Sequence, residues 1–160
     1  MDDVTIRPVD TADIPMLDTA LRTLSGDLGD THRAHVDALR QAGFGPCPAF
    51  HALLALSGDR ARGVVMFSPV FSTVRGMPGL YVSDLWVSDA ARGTGLGRRL
   101  LAAATARAGA LWGAGYLRLD VYDSSPEALG FYTKLGLAPL EGQRTLALSG
   151  AGFDKLKGEA

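Results

Sequence analysis

Leu85-Trp86-Val87-Ser88-Asp89-Ala90-Ala91-Arg92-Gly93-Thr94-Gly95-Leu96-Gly97 is the stretch on which the fold turns. Residues 80–87 read as a strand rich in apolar and β-branched side chains. Residues 95–111 have helical composition, with Leu96, Leu100, Ala103, Ala104 and Leu111 along one side. Between them lie Gly93, Gly95 and Gly97, three glycines in five positions. Glycine permits positive φ and lets a ligand approach the backbone closely. The first turn of a helix carries free N–H groups and partial positive charge, so this junction suits a phosphate. Arg98 and Arg99 sharpen the reading. Cations in a first turn oppose the helix dipole by a few tenths of a kcal/mol each, and a bound polyanion reverses that penalty. Arginine is also simply a good helix former in solvent, so those two residues alone do not decide the matter. A Walker loop ends in Gly-Lys-Ser/Thr, whereas this one ends in Gly97-Arg98-Arg99. A dinucleotide fingerprint needs Gly-x-Gly-x-x-Gly, and here the third glycine comes one residue early.

Working outward, residues 4–7 read as a short strand ended by Pro8. Thr11 or Asp13 is placed to cap a helix carrying Leu17, Leu21 and Leu24. Ser25-Gly26-Asp27 reads as a loop, residues 32–41 as a second, polar helix, and Gly43 to Pro48 as a break. Strands are expected at 49–56 and 62–70, joined by the turn Ser57-Gly58-Asp59-Arg60, with Gly76-Met77-Pro78-Gly79 as the next turn. Beyond the long helix, residues 116–121 read as another central strand. Ser125 and Pro126 open a helix that Gly136 closes, and residues 144–148 look like a last strand. Hairpin-linked strands followed by strand–helix alternation predict an α/β fold with a mixed sheet and helices on both faces.

The chain has 160 residues, 47% of them hydrophobic and 21% charged, with a formal net charge of −1. That is one domain's worth of sequence, 1–160, able to bury roughly 70% of its unfolded surface. The charge balance argues against general affinity for nucleic acid or an anionic membrane. Cys47 is the single cysteine, which rules out an internal disulfide. Asp2 and Asp3 begin the chain where a signal peptide would be basic and then apolar, and no run of ~18 apolar residues occurs. A cytoplasmic location is the resulting expectation. His32 and His35 have i, i+3 spacing but no third ligand near in sequence, so no metal is expected; either histidine could instead line an acceptor pocket.

Arg92-x-x-Gly95-x-Gly97 after a strand ending in Val87 resembles motif A of the GNAT acetyltransferase superfamily. Downstream, Ala128-x-x-Phe131-Tyr132-x-x-x-Gly136-Leu137 resembles its motif B. The two occur in the family's order and cover residues 80–148. The resemblance implies a mostly antiparallel sheet with a V-shaped splay between the fourth and fifth strands, where acetyl-CoA enters as co-substrate. It implies that Arg92, Gly93, Thr94, Gly95, Leu96, Gly97 and Arg98 hold the pyrophosphate. The backbone of Leu85, Trp86 and Val87, on a strand that in the family usually carries a bulge, would run beside the pantetheine arm. Tyr132 would protonate the departing thiolate, although its helical neighbours Ala128, Phe131 and Leu135 also suit a core position. Ser125 stands where the family often has asparagine, as a cofactor contact or only a helix cap. Leu137 replaces the family's phenylalanine.

Ser83-Asp84-Leu85-Trp86-Val87 resembles the Glu-Asp-x-x-Val stretch of the spermidine and thialysine N-acetyltransferase branch, with Ser83 in place of the glutamate. Glu141-Gly142-x-Arg144 resembles that branch's tail, where the acid helps bind cationic substrate. Acyl transfer to an amine needs a deprotonated nucleophile, donors for the developing oxyanion and a proton for the leaving thiolate. Asp84 is the candidate base or ammonium contact, and Asp27, Asp30 and Glu141 are further candidate contacts for a cationic acceptor. The expected function is transfer of an acetyl group from acetyl-CoA to a primary amine of a small molecule, directly in a ternary complex; the alternative is a non-catalytic acyl-CoA-binding sensor or interaction module on the same fold. A homodimer is implied for many relatives.

Overall fold

The computed structural model describes residues 3–160, so Asp2 of the acidic start lies outside the described residues. The chain divides into two compact units, one ending at Val121 and one spanning Tyr122–Ala160.

The first unit holds β1 (Thr5–Pro8), α1 (Ile14–Leu28), α2 (Val36–Phe44), β2 (His51–Ser57), β3 (Arg60–Ser72), β4 (Met77–Val87), α3 (Leu96–Trp112) and β5 (Leu117–Leu119). The five strands lie in sequence order; the first three pairings are antiparallel and the last parallel. Strand pleating sends alternate side chains to opposite faces. Ala52, Leu54, Val64 and Met66 pack on Ile14, Leu17 and Leu21 of α1 and Leu39 of α2. The other face packs on α3, whose Leu96, Leu100, Leu101, Ala104 and Ala108 are buried. Helices therefore cover both faces.

At Gly63 the side chains of α3 press against the sheet backbone. A Cβ there would lie 2.7 Å from Leu100 Cδ1 and 2.9 Å from the Trp86 carbonyl oxygen, which is backbone and cannot yield. Gly63→Ala is expected to cost about 1–3 kcal/mol. A thermal melt should show Tm lower by roughly 2–12 °C for a chain of this size.

Four local expectations are corrected. Neither Thr11 nor Asp13 caps α1 with a side-chain bond. Asp10 caps the short 3₁₀ turn Thr11–Asp13 ahead of the helix, its carboxylate accepting the Ala12 N–H at 2.8 Å. Asp13, at the N-cap position of α1, accepts the Asp10 N–H at 2.9 Å. Arg7 forks onto Asp13 at 2.6 and 2.8 Å, tying β1 to this cap. Ser25-Gly26-Asp27 is helix, because the left-handed closing position is taken by Gly29 at φ 76°. The β3–β4 turn comes earlier than expected. The Gly76 N–H reaches the Ser72 carbonyl at 2.8 Å, and Met77 to Gly79 belong to β4, where Pro78 offers its carbonyl to the Gly115 N–H at 2.9 Å.

The fourth correction lies in the second unit, which contains α4 (Pro126–Lys134) and α5 (Gly150–Lys157). Residues 144–148 form no strand, since a strand needs a ladder partner and this unit has no other. The chain goes instead into α5, which its glycine-rich start, Gly150-Ala151-Gly152, conceals from propensity reasoning.

Candidate active site

The ladder between β3 and β4 slips once. Met66 faces Asp84, but the next partner of Phe67 is Val82, so Ser83 is an extra, bulged residue. Its hydroxyl lies 3.4 Å from the Met66 carbonyl. The slip has a geometric result. Tyr81 and Asp84 are three positions apart and would face opposite ways on a regular strand; the bulge puts both on the face covered by α1 and α2. The Tyr81 hydroxyl donates to Asp120 at 2.6 Å. Burial, then that bond, pushes the Tyr81 phenol up to about 12, so it stays protonated. Burial also raises the Asp84 carboxyl, against the lowering effects of the Ser83 hydroxyl and the His32 charge. A carboxylate so placed is a better proton acceptor near neutral pH than an ordinary aspartate.

His32 is nearly buried on the same face. One ring nitrogen lies 3.0 Å from an Asp18 carboxylate oxygen and the other 3.2 Å from the Ser25 hydroxyl. Sequence reasoning named His32 but not its partners, because helix α1 was expected to end at Ser25. His35 instead caps α2, its ring accepting the Ala38 N–H at 3.2 Å. Asp27 is held by Arg92 at 3.0 Å. Tyr81 and Asp120 were missed altogether. Only the register of the bulge reveals them, and a tyrosine three residues before an aspartate carries no such signal.

The parallel ladder of β4 with β5 covers only Leu80, Tyr81 and Val82. From Ser83 to Val87, including Leu85 and Trp86, β4 has a strand partner on the β3 side alone, which is the opening expected between the fourth and fifth strands. A short 3₁₀ turn (Asp89–Ala91) leads into the glycine loop. Gly93 and Gly95 both take positive φ, 76° and 83°, whereas Gly97 lies inside α3. Gly95 occupies the N-cap position and has no side chain with which to cap. The Arg99 N–H to the Gly95 carbonyl (3.1 Å) closes the first helical turn, so the N–H groups before it have no acceptor within the helix. Thr94 pins the loop through its hydroxyl to the Ala91 carbonyl at 2.7 Å.

The arginines divide their work. The Arg92 guanidinium bonds the Val87 carbonyl (3.2 Å), Asp27 (3.0 Å) and Asp89 (2.7 Å), and so braces the loop. Arg99 is occupied by the Val4 carbonyl at 2.8 Å. Arg98 is exposed at the first turn and has no ion pair among the described residues. Two buried polar atoms, Trp86 Nε1 and Ser88 Oγ, also lack partners among those residues. Left-handed glycines, free helix N–H groups and an uncommitted arginine fit the pyrophosphate of a coenzyme.

In the second unit, Ser125 stands at the N-cap position of α4, but its hydroxyl makes no capping bond. Tyr132 lies on α4, edge-on to Phe131 with ring centroids 5.1 Å apart. Burial raises its phenol, which therefore holds its proton at neutral pH. Gly136 ends the helix at φ 94°, and the Leu137 N–H returns to the Tyr132 carbonyl at 3.1 Å. Glu141 is exposed in a turn.

Asp84 lends itself to a direct test. With a raised carboxyl in the fold, the neutral form is favoured. The associated stability is complete below the ordinary value of 3.8 and is lost as pH rises through the folded value. Asp84→Asn suffers no such loss. Its Tm should exceed that of the parent at pH 7 and converge with it near pH 3.5, while acyl transfer, read as kcat/KM for the amine, should fall on the order of 10²-fold.

The description "Acetyltransferase (GNAT) family" matches residues 18–137. Thialysine N-epsilon-acetyltransferases are similar: that of Sus scrofa is 29% identical over 143 residues, covering 82% of this chain and 83% of the relative. The Bos taurus enzyme is 30% identical over the same length and coverage. Among solved structures, an integron cassette protein from the mobile metagenome of V. cholerae superposes with TM-score 0.76, at 21% identity over 98% of both chains. An aminoglycoside acetyltransferase from an uncultured soil metagenomic sample, in complex with sisomicin, gives TM-score 0.75 at 16% identity, covering 91% of this chain and 95% of that one. The chain belongs to the GNAT acetyltransferase family, whose members transfer acyl groups to amines and generally use acetyl-CoA as co-substrate.

Proposed function

We propose that this protein is an N-acetyltransferase acting on a primary amine of a small cationic molecule, with acetyl-CoA as donor and direct transfer in a ternary complex. The observation that carries the reading is the bulge at Ser83, which turns Asp84 onto the face of Tyr81, Asp120 and His32, on the same strand that leads into the glycine loop. Acetyl-CoA supplies an activated thioester. The backbone N–H groups at the start of α3, with Arg98, would hold its pyrophosphate, and the residues from Leu85 to Val87 would flank its arm. Asp84 takes a proton from the incoming ammonium, directly or through water. Asp120 is a second negative charge on that face, suited to a polyamine-like or amino-acid acceptor. Tyr132 holds the proton that the leaving thiolate needs. The names of the relatives, which act on thialysine or aminoglycosides, support an acceptor of this kind.

Ser83, where the related branch has a glutamate, favours the second reading, a non-catalytic acyl-CoA-binding module. Release of free thiol from acetyl-CoA, followed with thialysine, spermidine and an aminoglycoside as separate acceptors, decides between them. Enzymatic function predicts amine-dependent release above the amine-free control. Tight acetyl-CoA binding with no release for any amine would hand the chain to the second reading.

A further inference from the structure

Where β4 and β5 separate, register decides which residues stand on the two lips. The parallel ladder pairs Tyr81 with Arg118 and Val82 with Leu119, and there it ends. Against β3, Tyr81 faces Ser68, Val82 faces Phe67 and Asp84 faces Met66, so the bulged Ser83 drops out of the count. Asp84 is thus two positions beyond Tyr81, as Asp120 is two positions beyond Arg118. The two carboxylates stand level with each other on opposite lips, and pleating sends both to the face of Tyr81. Their backbones lie about 5 Å apart or more, the spacing of neighbouring strands.

Tyr81 fixes one of these carboxylates. Its hydroxyl donates to Asp120 at 2.6 Å, a short, charge-assisted bond from one lip to the other. Asp120 is exposed and lies just past the end of β5, where the ladder no longer holds the chain. Arg118 is exposed on the same side of β5, two residues back, with no ion pair among the described residues. A guanidinium so close competes for any carboxylate left free. Beyond burial and its bond to Asp120, the Tyr81 phenol is raised by the charges of Asp120 and Asp84 and lowered by that of Arg118. All three charges therefore lie within electrostatic reach of it.

We propose that Tyr81 is a positioning residue: it holds Asp120 across the opening from Asp84 and away from Arg118, so that the acceptor's ammonium enters between two carboxylates. The inference rests on the acyltransferase reading and gives the two acids different work. Asp84 takes the proton, while Asp120, exposed and already oriented, binds the cation. A primary ammonium has three donors, enough for both carboxylates at once. A neutral alcohol of the same shape has one donor and no charge.

The test follows the side-chain carboxyl signals of Asp84 and Asp120 by NMR, in isotope-labelled protein titrated with n-butylammonium chloride. The neutral counterpart is n-butanol. Both signals are expected to shift and saturate together with the ammonium, and neither with the alcohol. In Tyr81→Phe, which keeps the ring, affinity should fall about five- to tenfold and the Asp120 response should be lost. Adding Arg118→Leu to that variant should recover both to within about twofold of Arg118→Leu alone, because no guanidinium is left to capture the carboxylate. A merely structural Tyr81 predicts no such rescue. In turnover with thialysine, Tyr81→Phe should raise KM by the same factor and leave kcat nearly unchanged. An Asp120 signal indifferent to the ammonium in the parent would overturn the proposal, as would undiminished binding by Tyr81→Phe or a failed rescue. Ammonium binding is read without acetyl-CoA, so a parent that binds but does not turn over would count against the acyltransferase reading alone.

Discussion

Gly95→Glu should weaken acetyl-CoA binding by at least about 100-fold, close to 3 kcal/mol, while the protein stays folded. Gly95 sits at φ 83° with open space where a Cβ would point, so a side chain meets no steric clash. The cost to the fold is the left-handed backbone, about 1–2 kcal/mol for a non-glycine residue. A domain of this size is typically stable by 5–15 kcal/mol, as an order of magnitude. Part of the cost is returned, because a carboxylate at a helix N-terminus favours the dipole. That same favourable placement ruins the site: the glutamate becomes the anion that the N–H groups receive. Gly95→Ala separates the two effects, since it carries the backbone strain without the charge, and it should lose less than about tenfold. Calorimetric titration of both variants, with circular dichroism as the fold control, is the measurement. Undiminished binding by Gly95→Glu would remove the loop from coenzyme recognition.

Tyr132→Phe should lower kcat by about 10²- to 10⁴-fold and leave the affinity for acetyl-CoA nearly unchanged. The edge-on contact with Phe131 survives the change, because only the hydroxyl is removed. Stability should barely move. A raised phenol pKa keeps the proton in place at neutral pH, and the parent's activity should fall at alkaline pH as that proton is lost. The variant should lack this alkaline limb. An unchanged kcat would show that the thiolate is protonated by something else.

Much of this was readable from residue order alone, for a physical reason. The strand ending at Val87, the glycine loop and α3 are each specified by local chemistry: β-branched apolar residues, positive φ and helical periodicity. The Ser125–Gly136 helix was equally plain, with proline at its start and glycine at its end. The helical course of Ser25 to Asp27 was hidden because three small polar residues mimic a loop. The isolated sequence does not say which of Gly26 and Gly29 carries the left-handed turn. Residues 144–148 read as a last strand, yet pairing is a tertiary property, and no strand formed. At the site, Asp84 was legible as a residue type in a telling place. Its alignment with Tyr81 and Asp120 depends on a one-residue slip between two strands, and register is not written in either strand by itself.

The Arg92–Asp27 ion pair fastens the glycine loop to the last turn of α1, across 65 residues of sequence. A recombination experiment would feel this directly. Grafting the α1–α2 segment of a relative onto this chain also removes one end of the strut that steadies the glycine loop. A chimaera that carries aspartate at position 27 along with the graft should keep the loop braced as in the parent. One that omits it should lose at most about 1 kcal/mol of that bracing, since Arg92 keeps the Val87 carbonyl and Asp89. The end of α1 and the glycine loop are thus joined through a single carboxylate.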